Sequence, residues 1–167
     1  MRAIVIMGVA GSGKSTIAAA VCQRTGATLI EGDDFHPPAN IRKMSAGMAL
    51  NDADRQGWLE RLGQETADRL QSSPCVVLTC SALKRRYRDT LRKAVPELGF
   101  VYLAPSPEEA AARVAQRGGH FMPASLVASQ FRDLEPPDGE PLVLSVAATR
   151  AVDAIADEIV QWWCHLD

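Results

Sequence analysis

The sequence predicts a doubly wound α/β fold built around a five-stranded parallel sheet. Short β-branched apolar runs recur along the chain, helical patterns separate them, and glycine, proline or polar residues bound each run. Most of these runs are too apolar for strands with one exposed face, which favours a parallel sheet covered by helices on both sides. The five predicted strands are Ala3–Met7, Ala27–Glu31, Cys75–Cys80, Gly99–Leu103 and Leu142–Val146.

Helix-start signals mark elements between these strands. Asn51 or Asp52 can cap a long helix that begins beside them. Ser106 and Glu109 have the spacing of a capping box with proline at the first helical position, so a helix is predicted to begin there. We expect that helix to end at Gly118-Gly119.

The last helix and two connecting segments complete the predicted order. Thr149 is expected to open the last helix. Segments 33–50 and 118–140 are expected to be irregular, because both are rich in proline and glycine, and long loops in a compact domain usually contact a ligand. The predicted buried face of the last helix comprises Val152, Ile155, Ile159 and Trp163.

Length and charge limit the class of protein. A chain of 167 residues with 47% hydrophobic residues predicts one folded domain over 1–167 and excludes a disordered protein. A net charge of −2 leaves no basic field for nucleic-acid binding. The four cysteines contain no C-x-x-C pair, which argues against a zinc module. No apolar run approaches the roughly 20 residues of a membrane span, and no signal peptide is recognisable, so we expect a cytoplasmic protein.

The strongest motif is Gly8-Val9-Ala10-Gly11-Ser12-Gly13-Lys14-Ser15, which fits G-x-x-x-x-G-K-[ST] and lies between the first strand and a helix. Its glycines let backbone N–H groups surround a β-phosphate, and the following helix adds its partial positive charge. Lys14 is expected to bridge the β- and γ-phosphates, and the Ser15 hydroxyl to bind Mg²⁺. The chain is therefore predicted to bind a nucleoside triphosphate. The predicted nucleotide-binding residues are Gly8, Ala10, Gly11, Ser12, Gly13, Lys14, Ser15, Thr16 and Arg113.

Other P-loop classes fit the rest of the chain less well. Asp54-Arg55-Gln56-Gly57 spells the D-x-x-G of GTPases but lies in a helical pattern, and the chain has no N-K-x-D motif. A motor would need a longer chain and an acidic pair after the third strand, which instead runs into Thr79-Cys80-Ser81-Ala82. The favoured interpretation is a kinase for a small acceptor, and a nucleotide-dependent switch protein stays open as an alternative.

Carboxylates and cations supply a candidate acceptor site. Asp33 follows the second strand at the edge where open α/β sheets hold ligands, so it is the candidate base, with Asp34 as the alternative. Lys84 and Arg88 border the buried stripe of the helix after the third strand and can hold an anionic acceptor. The neighbouring cations are interpreted as a solvated face; they are Arg85, Arg86, Arg92 and Lys93.

A mobile lid is predicted over residues 113–135. Arg113 and Arg117 share one helix face just before the flexible Gly118-Gly119, which suits a segment that closes over phosphates and neutralises charge. His36 and His120 are expected to make polar contacts with substrate or loops rather than to bind metal.

Together these segments resemble the small P-loop gluconokinases, relatives of shikimate kinase and the nucleotide monophosphate kinases. The resemblance runs nearly end to end and is most specific at Asp33 with His36-Pro37 and at Cys80-Ser81-Ala82-Leu83-Lys84. It implies a P-loop NTPase fold and the Mg²⁺- and ATP-dependent phosphorylation of D-gluconate to 6-phospho-D-gluconate, usually in a homodimer. The alternative is a kinase for another small hydroxy acid such as shikimate.

The resemblance also implies residue roles. Asp33 would be the base, Glu31 would help to order the metal shell, and the segment 145–150 would form the adenine pocket. The implied catalytic residues are Lys14, Asp33 and Arg117. The implied gluconate-binding residues are Asp33, His36, Arg55, Ser81, Lys84, Arg88 and His120.

Overall fold

In the computed structural model, which describes residues 1–116 and 125–166, five parallel strands form one sheet in the order β2-β3-β1-β4-β5. The strands are β1 (Ala3–Met7), β2 (Thr28–Glu31), β3 (Val76–Thr79), β4 (Gly99–Ala104) and β5 (Val143–Ala147). The helices are α1 (Lys14–Thr25), α2 (Pro38–Ser45), α3 (Asp52–Ser72), α4 (Arg85–Ala94), α5 (Pro107–Gln116), α6 (Ser125–Asp133) and α7 (Val152–Cys164), with a 3₁₀ turn at Gly32–Phe35. The predicted α/β class and its five strands are confirmed.

The central strand β1 divides the core into two layers. All of its residues are buried, and Val5 pairs with Leu78 of β3 and Phe100 of β4. Because side chains alternate along a strand, Val5 faces the helices α3 and α4, whereas Ile4 faces α1 and α7. Helices therefore cover both faces of the sheet, as a parallel sheet requires.

Two helix caps agree with the sequence prediction. Asn51 caps α3, since its side chain accepts a 2.8 Å hydrogen bond from the Asp54 N–H, and the Asp54 carboxylate accepts one of 2.9 Å from the Asn51 N–H. The capping box also forms at α5, where the Ser106 hydroxyl accepts from the Glu109 N–H at 3.2 Å. The predicted end of α5 at Gly118-Gly119 lies outside the described residues.

Some predicted boundaries were wrong. Thr149 does not open α7, because the Ala148 N–H still bonds to the Ala104 carbonyl and the chain turns before the helix begins after Ala151. Val152, predicted to be buried, is consequently 39% exposed, although the rest of the predicted face is buried.

The two segments predicted to be irregular contain helices. Segment 33–50 contains α2, and the described part of segment 118–140 contains α6. Prolines signalled a loop in the first segment, but Pro38 occupies the first position of α2, where proline has no hydrogen bond to lose. No helix within the described ranges is long and apolar enough to cross a membrane.

Candidate active site

A cavity lies at the carboxyl ends of the strands, where the P-loop faces the end of β2. It brings together the predicted residues Lys14, Ser15, Asp33, Arg55 and Ser81 in one place. The cavity is lined by Ala10, Gly11, Gly13, Lys14, Ser15, Asp33, His36, Met44, Leu50, Arg55, Trp58, Ser81, Val114 and Gln130.

The P-loop requires its glycines for both conformation and space. Gly11 has φ +79°, and a Cβ there would lie 2.4 Å from the Ala110 carbonyl oxygen. Glycine is the residue that adopts this backbone without strain. Lys14 Nζ folds back over the loop and donates to the Gly8 and Val9 carbonyls at 3.1 and 3.0 Å. A cation and a turned backbone thus meet at the wall of the cavity, as a phosphate site requires.

The end of the P-loop carries a hydroxyl oxygen, and oxygen is the ligand atom that Mg²⁺ prefers. The exposed Ser15 hydroxyl donates to Glu31 Oε2 at 3.0 Å, and the Thr79 hydroxyl donates to the same oxygen at 2.6 Å. Within the described ranges, no group of three or more His, Cys, Asp or Glu residues could hold a metal by itself. The residues therefore fit a magnesium ion held by Ser15 and by phosphate oxygens, with Glu31 fixing the hydroxyl.

The candidate base lies in the 3₁₀ turn after β2. Asp33 lines the cavity with its side chain 53% exposed, whereas Asp34, the alternative base, does not line it. The turn can reach this position because Gly32 has no side chain, since a Cβ there would lie 2.1 Å from the Thr79 carbonyl oxygen. The geometry favours Asp33 over Asp34 as the base.

His36 is buried behind Asp33. Its ring stacks on Trp58 with centroids 4.0 Å apart, and Trp58 Nε1 donates to the Gly32 carbonyl at 2.8 Å. Burial lowers the pKa of His36 to about 4 and outweighs the attraction of Asp33, while Arg55 lowers it further. The imidazole is therefore neutral near pH 7.

Arg55 places a buried cation on the cavity wall. It is 5% exposed, and its Nη1 has no hydrogen-bond partner among the residues the structure describes. Asp133 Oδ2 lies 3.7 Å from Nη1, and the guanidinium lies over the Tyr87 ring at 5.4 Å. A buried guanidinium with an open donor is suited to bind a carboxylate.

Lys84 and Arg88 do not line the cavity. Lys84 Nζ pairs with Asp52 at 3.1 Å and lies 4.0 Å from Asp133, with a quarter of its side chain exposed. Arg88 is fully buried, and its guanidinium donates to Glu140 and to the carbonyls of Ala82 and Leu83.

The prediction that Arg88 contacts the acceptor is therefore corrected. Arg88 instead supports the loop that carries Ser81. Local helix spacing could not reveal this, because Glu140 lies 52 residues further along the chain. Arg92, expected on a solvated face, also donates to Glu140 at 2.8 Å.

Two further contacts join the P-loop to later elements. Arg113 Nη2 donates to the Ala148 carbonyl at 3.0 Å, and its Nη1 donates to the Gly11 carbonyl at 3.3 Å. Gln130, absent from the sequence-predicted site, accepts a 2.6 Å hydrogen bond from the Ala10 N–H. No local pattern signals this contact, since it spans 120 residues.

The remaining predicted residues fall in different places. Gly8 and Ser12 are buried beneath the cavity-lining part of the P-loop, and Thr16 is exposed on α1 outside the cavity lining. Arg117 and His120 lie outside the described residues, as does the middle of the predicted lid.

Comparisons with known proteins point to one family. A family model described as an AAA domain matches residues 4–137. Gluconokinase from Gluconobacter oxydans (strain 621H) is 42% identical over 160 residues, covering 96% of this chain and 90% of that protein. Thermosensitive gluconokinase from Escherichia coli (strain K12) is 44% identical over 139 residues, covering 83% and 74%.

Solved structures agree with these relatives. A gluconokinase from Sinorhizobium meliloti 1021 superposes with a TM-score of 0.88 at 44% identity, covering 99% of this chain and 93% of that one. The APS kinase CysC of Mycobacterium tuberculosis, in complex with AMPPNP and APS, superposes with a TM-score of 0.70 at 19% identity, covering 97% and 96%. At that identity the second likeness concerns the P-loop kinase fold alone.

Proposed function

The chain belongs to the gluconokinase family and to the AAA-domain family whose model spans residues 4–137, and from that premise we propose that it transfers the γ-phosphoryl group of ATP to the terminal hydroxyl of D-gluconate. The chain is thus a kinase. The observation that carries the choice of acceptor is one cavity lined by Lys14, Asp33 and Arg55. Lys14 provides a cation that binds phosphate, Asp33 provides a base, and Arg55 provides a cation that can bind a carboxylate.

Arg55 supports a carboxylate at the far end of the acceptor. Its buried Nη1 lacks a hydrogen-bond partner among the described residues, so a carboxylate there would satisfy a donor that is costly to leave unpaired. Gluconate has a carboxylate at one end and a hydroxyl at the other, which matches a cavity lined by both Arg55 and Asp33. Glucose lacks the carboxylate and would leave Nη1 of Arg55 without a hydrogen-bond partner among the described residues. We therefore propose an acidic acceptor rather than a neutral sugar.

The transfer step uses residues around the P-loop and Asp33. The acceptor hydroxyl oxygen forms a bond to the γ-phosphorus while its proton passes to the Asp33 carboxylate. The bond from the γ-phosphorus to its β–γ bridging oxygen breaks, and the electron pair leaves with ADP. Lys14 and the loop N–H groups hold the phosphates in line throughout.

Magnesium belongs to the proposal as the partner of the Ser15 hydroxyl. When bound, it neutralises charge on the β- and γ-phosphates. Ser15 would hold it, with Glu31 orienting the hydroxyl through the hydrogen bond between them. Arg113 lies between the P-loop and the Ala148 carbonyl, and we propose that it contacts the nucleotide there.

Several expectations rest on the family resemblance. On that basis we propose that ATP rather than GTP is the donor and that the protein is a cytoplasmic homodimer. We also propose that each chain is a single domain with a lid over 113–135. Arg117 and His120 are proposed to act from the lid, on the phosphates and the acceptor respectively. Lys84, which pairs with Asp52 beside the cavity, is proposed to contact the acceptor as well.

ADP release by the purified protein with Mg·ATP tests the proposal. The acceptors to compare are D-gluconate, shikimate, glycerate, glucose and nucleoside monophosphates. We expect strong stimulation by gluconate and almost none by the others. Stimulation by a different acceptor would contradict the proposal that gluconate is the substrate, while the assignment as a kinase would stand. If ATP binds but no acceptor stimulates turnover, the result favours a nucleotide-dependent switch protein instead.

A further inference from the structure

A chain of polar side chains runs from α3 to the candidate base. Asn40 Nδ2 donates to the Asp54 carbonyl at 2.8 Å and lies 3.4 Å from His36 Nδ1. On the other side of the ring, His36 Nε2 lies 3.7 Å from Asp33 Oδ1. Asn40 and His36 are 3% and 8% exposed, so protein contacts rather than water decide how these groups are oriented.

The tautomer of His36 follows from which of these groups can donate a hydrogen bond and which can only accept one. The Asp54 carbonyl can only accept, so the amide nitrogen of Asn40 must face it. The same NH₂ group faces His36 Nδ1, which must therefore be the accepting nitrogen. In a neutral imidazole the proton then resides on Nε2, the nitrogen that faces Asp33.

The ring is held in this orientation and in this charge state. Stacking on Trp58 fixes its plane, and Trp58 is itself anchored to the Gly32 carbonyl. The charged groups that act on the ring are Asp33, which favours protonation, and Arg55, which opposes it. Burial outweighs the attraction of Asp33, so the ring presents an N–H donor without a positive charge.

We propose that His36 is a positioning residue that holds Asp33 Oδ1 through its Nε2–H, and that Asn40 fixes the tautomer which makes this possible. The proposal rests on the role of Asp33 as the base in the proposed function. The 3.7 Å separation exceeds a hydrogen bond, and we expect it to shorten when the acceptor binds, as catalytic hydrogen bonds do. Oδ2 of Asp33 is then left to receive the hydroxyl proton.

A neutral donor suits this task better than a cation. An imidazolium beside Asp33 would stabilise the carboxylate strongly and weaken it as a base. A neutral N–H orients the carboxylate at a smaller cost in basicity. The burial of His36 thus has a chemical consequence besides packing.

The first test is nitrogen NMR of the intact protein labelled in its histidine rings. We expect His36 to be neutral near pH 7 with the proton on Nε2. Asn40→Asp, which places an acceptor opposite Nδ1, should move the proton to Nδ1 or protonate the ring. A wild-type ring with the proton on Nδ1, or a charged one, would overturn the proposal. This measurement needs no acceptor, so it stands even if gluconate proves to be the wrong one.

The second test compares two variants of His36 that separate donation from packing. His36→Phe keeps an aromatic ring against Trp58 but lacks the N–H, and His36→Gln keeps an N–H but lacks the ring. We expect His36→Phe to lower kcat by about 10-fold or more with little change in the KM for ATP. His36→Gln should restore much of that loss although it packs less well. A purely structural role predicts the opposite order, and wild-type kcat in His36→Phe would contradict the proposal.

Lys43→Met serves as the matched control. Lys43 anchors α2 to α3 through a 2.8 Å ion pair with Asp54 and takes no part in the contacts of the His36 ring given above. We expect Lys43→Met to lower the melting temperature. The proton of His36 should stay on Nε2, and kcat should be retained. The kinetic tests use whichever acceptor stimulates ADP release, so a wrong acceptor and a wrong role for His36 give different results.

Discussion

The Ser15 hydroxyl donates a 3.0 Å hydrogen bond to Glu31 Oε2, so the end of the P-loop is tied to the end of β2 beside the cavity. The same carboxylate oxygen accepts a second hydrogen bond from Thr79 on β3, at 2.6 Å. Two donors on one oxygen restrict the rotation of the Glu31 carboxylate, which in turn fixes the direction of the Ser15 hydroxyl hydrogen. The P-loop and two neighbouring strands thereby orient one hydroxyl oxygen, the one that we propose as a magnesium ligand.

Glu31→Gln tests this arrangement. The amide oxygen can take the place of Oε2 and accept from both hydroxyls, but it carries no negative charge, so it holds the Ser15 hydroxyl more weakly. We expect the Mg²⁺ concentration for half-maximal rate to rise about 10-fold, as for other outer-shell changes at metal sites. The measurement is rate against Mg²⁺ at saturating ATP and gluconate. The same substitution at Glu65, in an exposed pair with Arg69 on α3, is the control and should leave the Mg²⁺ dependence unchanged.

Asp33→Asn and Lys14→Ala separate base catalysis from phosphate binding. Each variant should lower kcat by a factor on the order of 10² or more, because one loses the proton acceptor and the other a phosphate cation. Asp33→Asn should retain nucleotide binding nearly unchanged, whereas Lys14→Ala should weaken it. Steady-state kinetics and a direct ATP-binding titration make the comparison. Full activity in Asp33→Asn would remove this residue from the mechanism.

Arg55→Met tests carboxylate recognition. Loss of charge-assisted hydrogen bonds should raise the KM for gluconate about 10- to 100-fold, with the KM for ATP unchanged. The preference for gluconate over glucose should narrow by a similar factor. Arg61→Met is the control, because Arg61 lies on the same helix but is exposed over the Phe35 ring at 5.1 Å. Equal effects of the two substitutions would show that Arg55 does not bind the acceptor.

Arg88→Met tests the buried pair beneath the Ser81 loop. The substitution leaves Glu140 with Arg92 alone and deprives the Ala82 and Leu83 carbonyls of their donor. We expect the free energy of unfolding in urea to fall by about 3 kcal/mol, the scale of a broken buried pair. Arg88→Met combined with Glu140→Leu should recover part of this loss. Arg69→Met, in the exposed pair with Glu65, should cost less than about 1 kcal/mol.

The same pair makes stability depend on acidic pH. Burial by itself acts to raise the pKa of Glu140, but hydrogen bonds from Arg88 and Arg92 outweigh it and the pKa is lowered. A carboxyl group whose pKa is lowered by folding stabilises the fold above its ordinary value of 4.5, and this stabilisation is lost as the pH falls through the lower folded value.

Unfolding curves of the wild type and Glu140→Gln between neutral and acidic pH measure this effect. The difference between the two proteins should shrink as the pH falls below about 4.5. His36 acts over a higher range, because its folded pKa of about 4 lies below its ordinary 6.5, so stability rises with pH across that interval. Both proteins share the His36 effect, so it cancels in the difference. A constant difference would show that Glu140 is not paired in solution.

Two glycines should respond to alanine with opposite signs. A Cβ on Gly32 would lie 2.1 Å from the Thr79 carbonyl oxygen, so Gly32→Ala should cost about 1–3 kcal/mol of unfolding free energy and lower kcat by moving Asp33. A Cβ on Gly57, inside α3, would meet no atom of the described residues within 4 Å, so Gly57→Ala should add about 0.5–1 kcal/mol. Thermal and urea unfolding distinguish the two, and a stabilising Gly32→Ala would contradict the close packing of β2 on β3.

Local sequence patterns predicted the parts of the protein that depend on near neighbours. The strands follow from apolar runs, the cap of α3 from Asn51 as one of two neighbouring cap candidates, and the phosphate loop from its own glycines. The same reasoning failed for α2, because a proline beside a turn and a proline at a helix start look alike until the following backbone is seen. It predicted α7 but placed its start too early, because the hydrogen bond from the Ala148 N–H to the Ala104 carbonyl keeps the chain in the sheet beyond β5.

The sequence by itself therefore determined the five strands, the P-loop and the position of Asp33 at the end of a strand, since each depends on residues within a few positions of one another. Only the tertiary structure decided that Arg88 supports a loop through Glu140 and that Gln130 contacts Ala10, contacts that span 52 and 120 residues. Such pairings are chosen by how separate elements pack, and that packing leaves no periodicity in the sequence. His36 lies between these cases: its place after Asp33 was visible, but its tautomer depends on the amide of Asn40 and on a backbone carbonyl of α3.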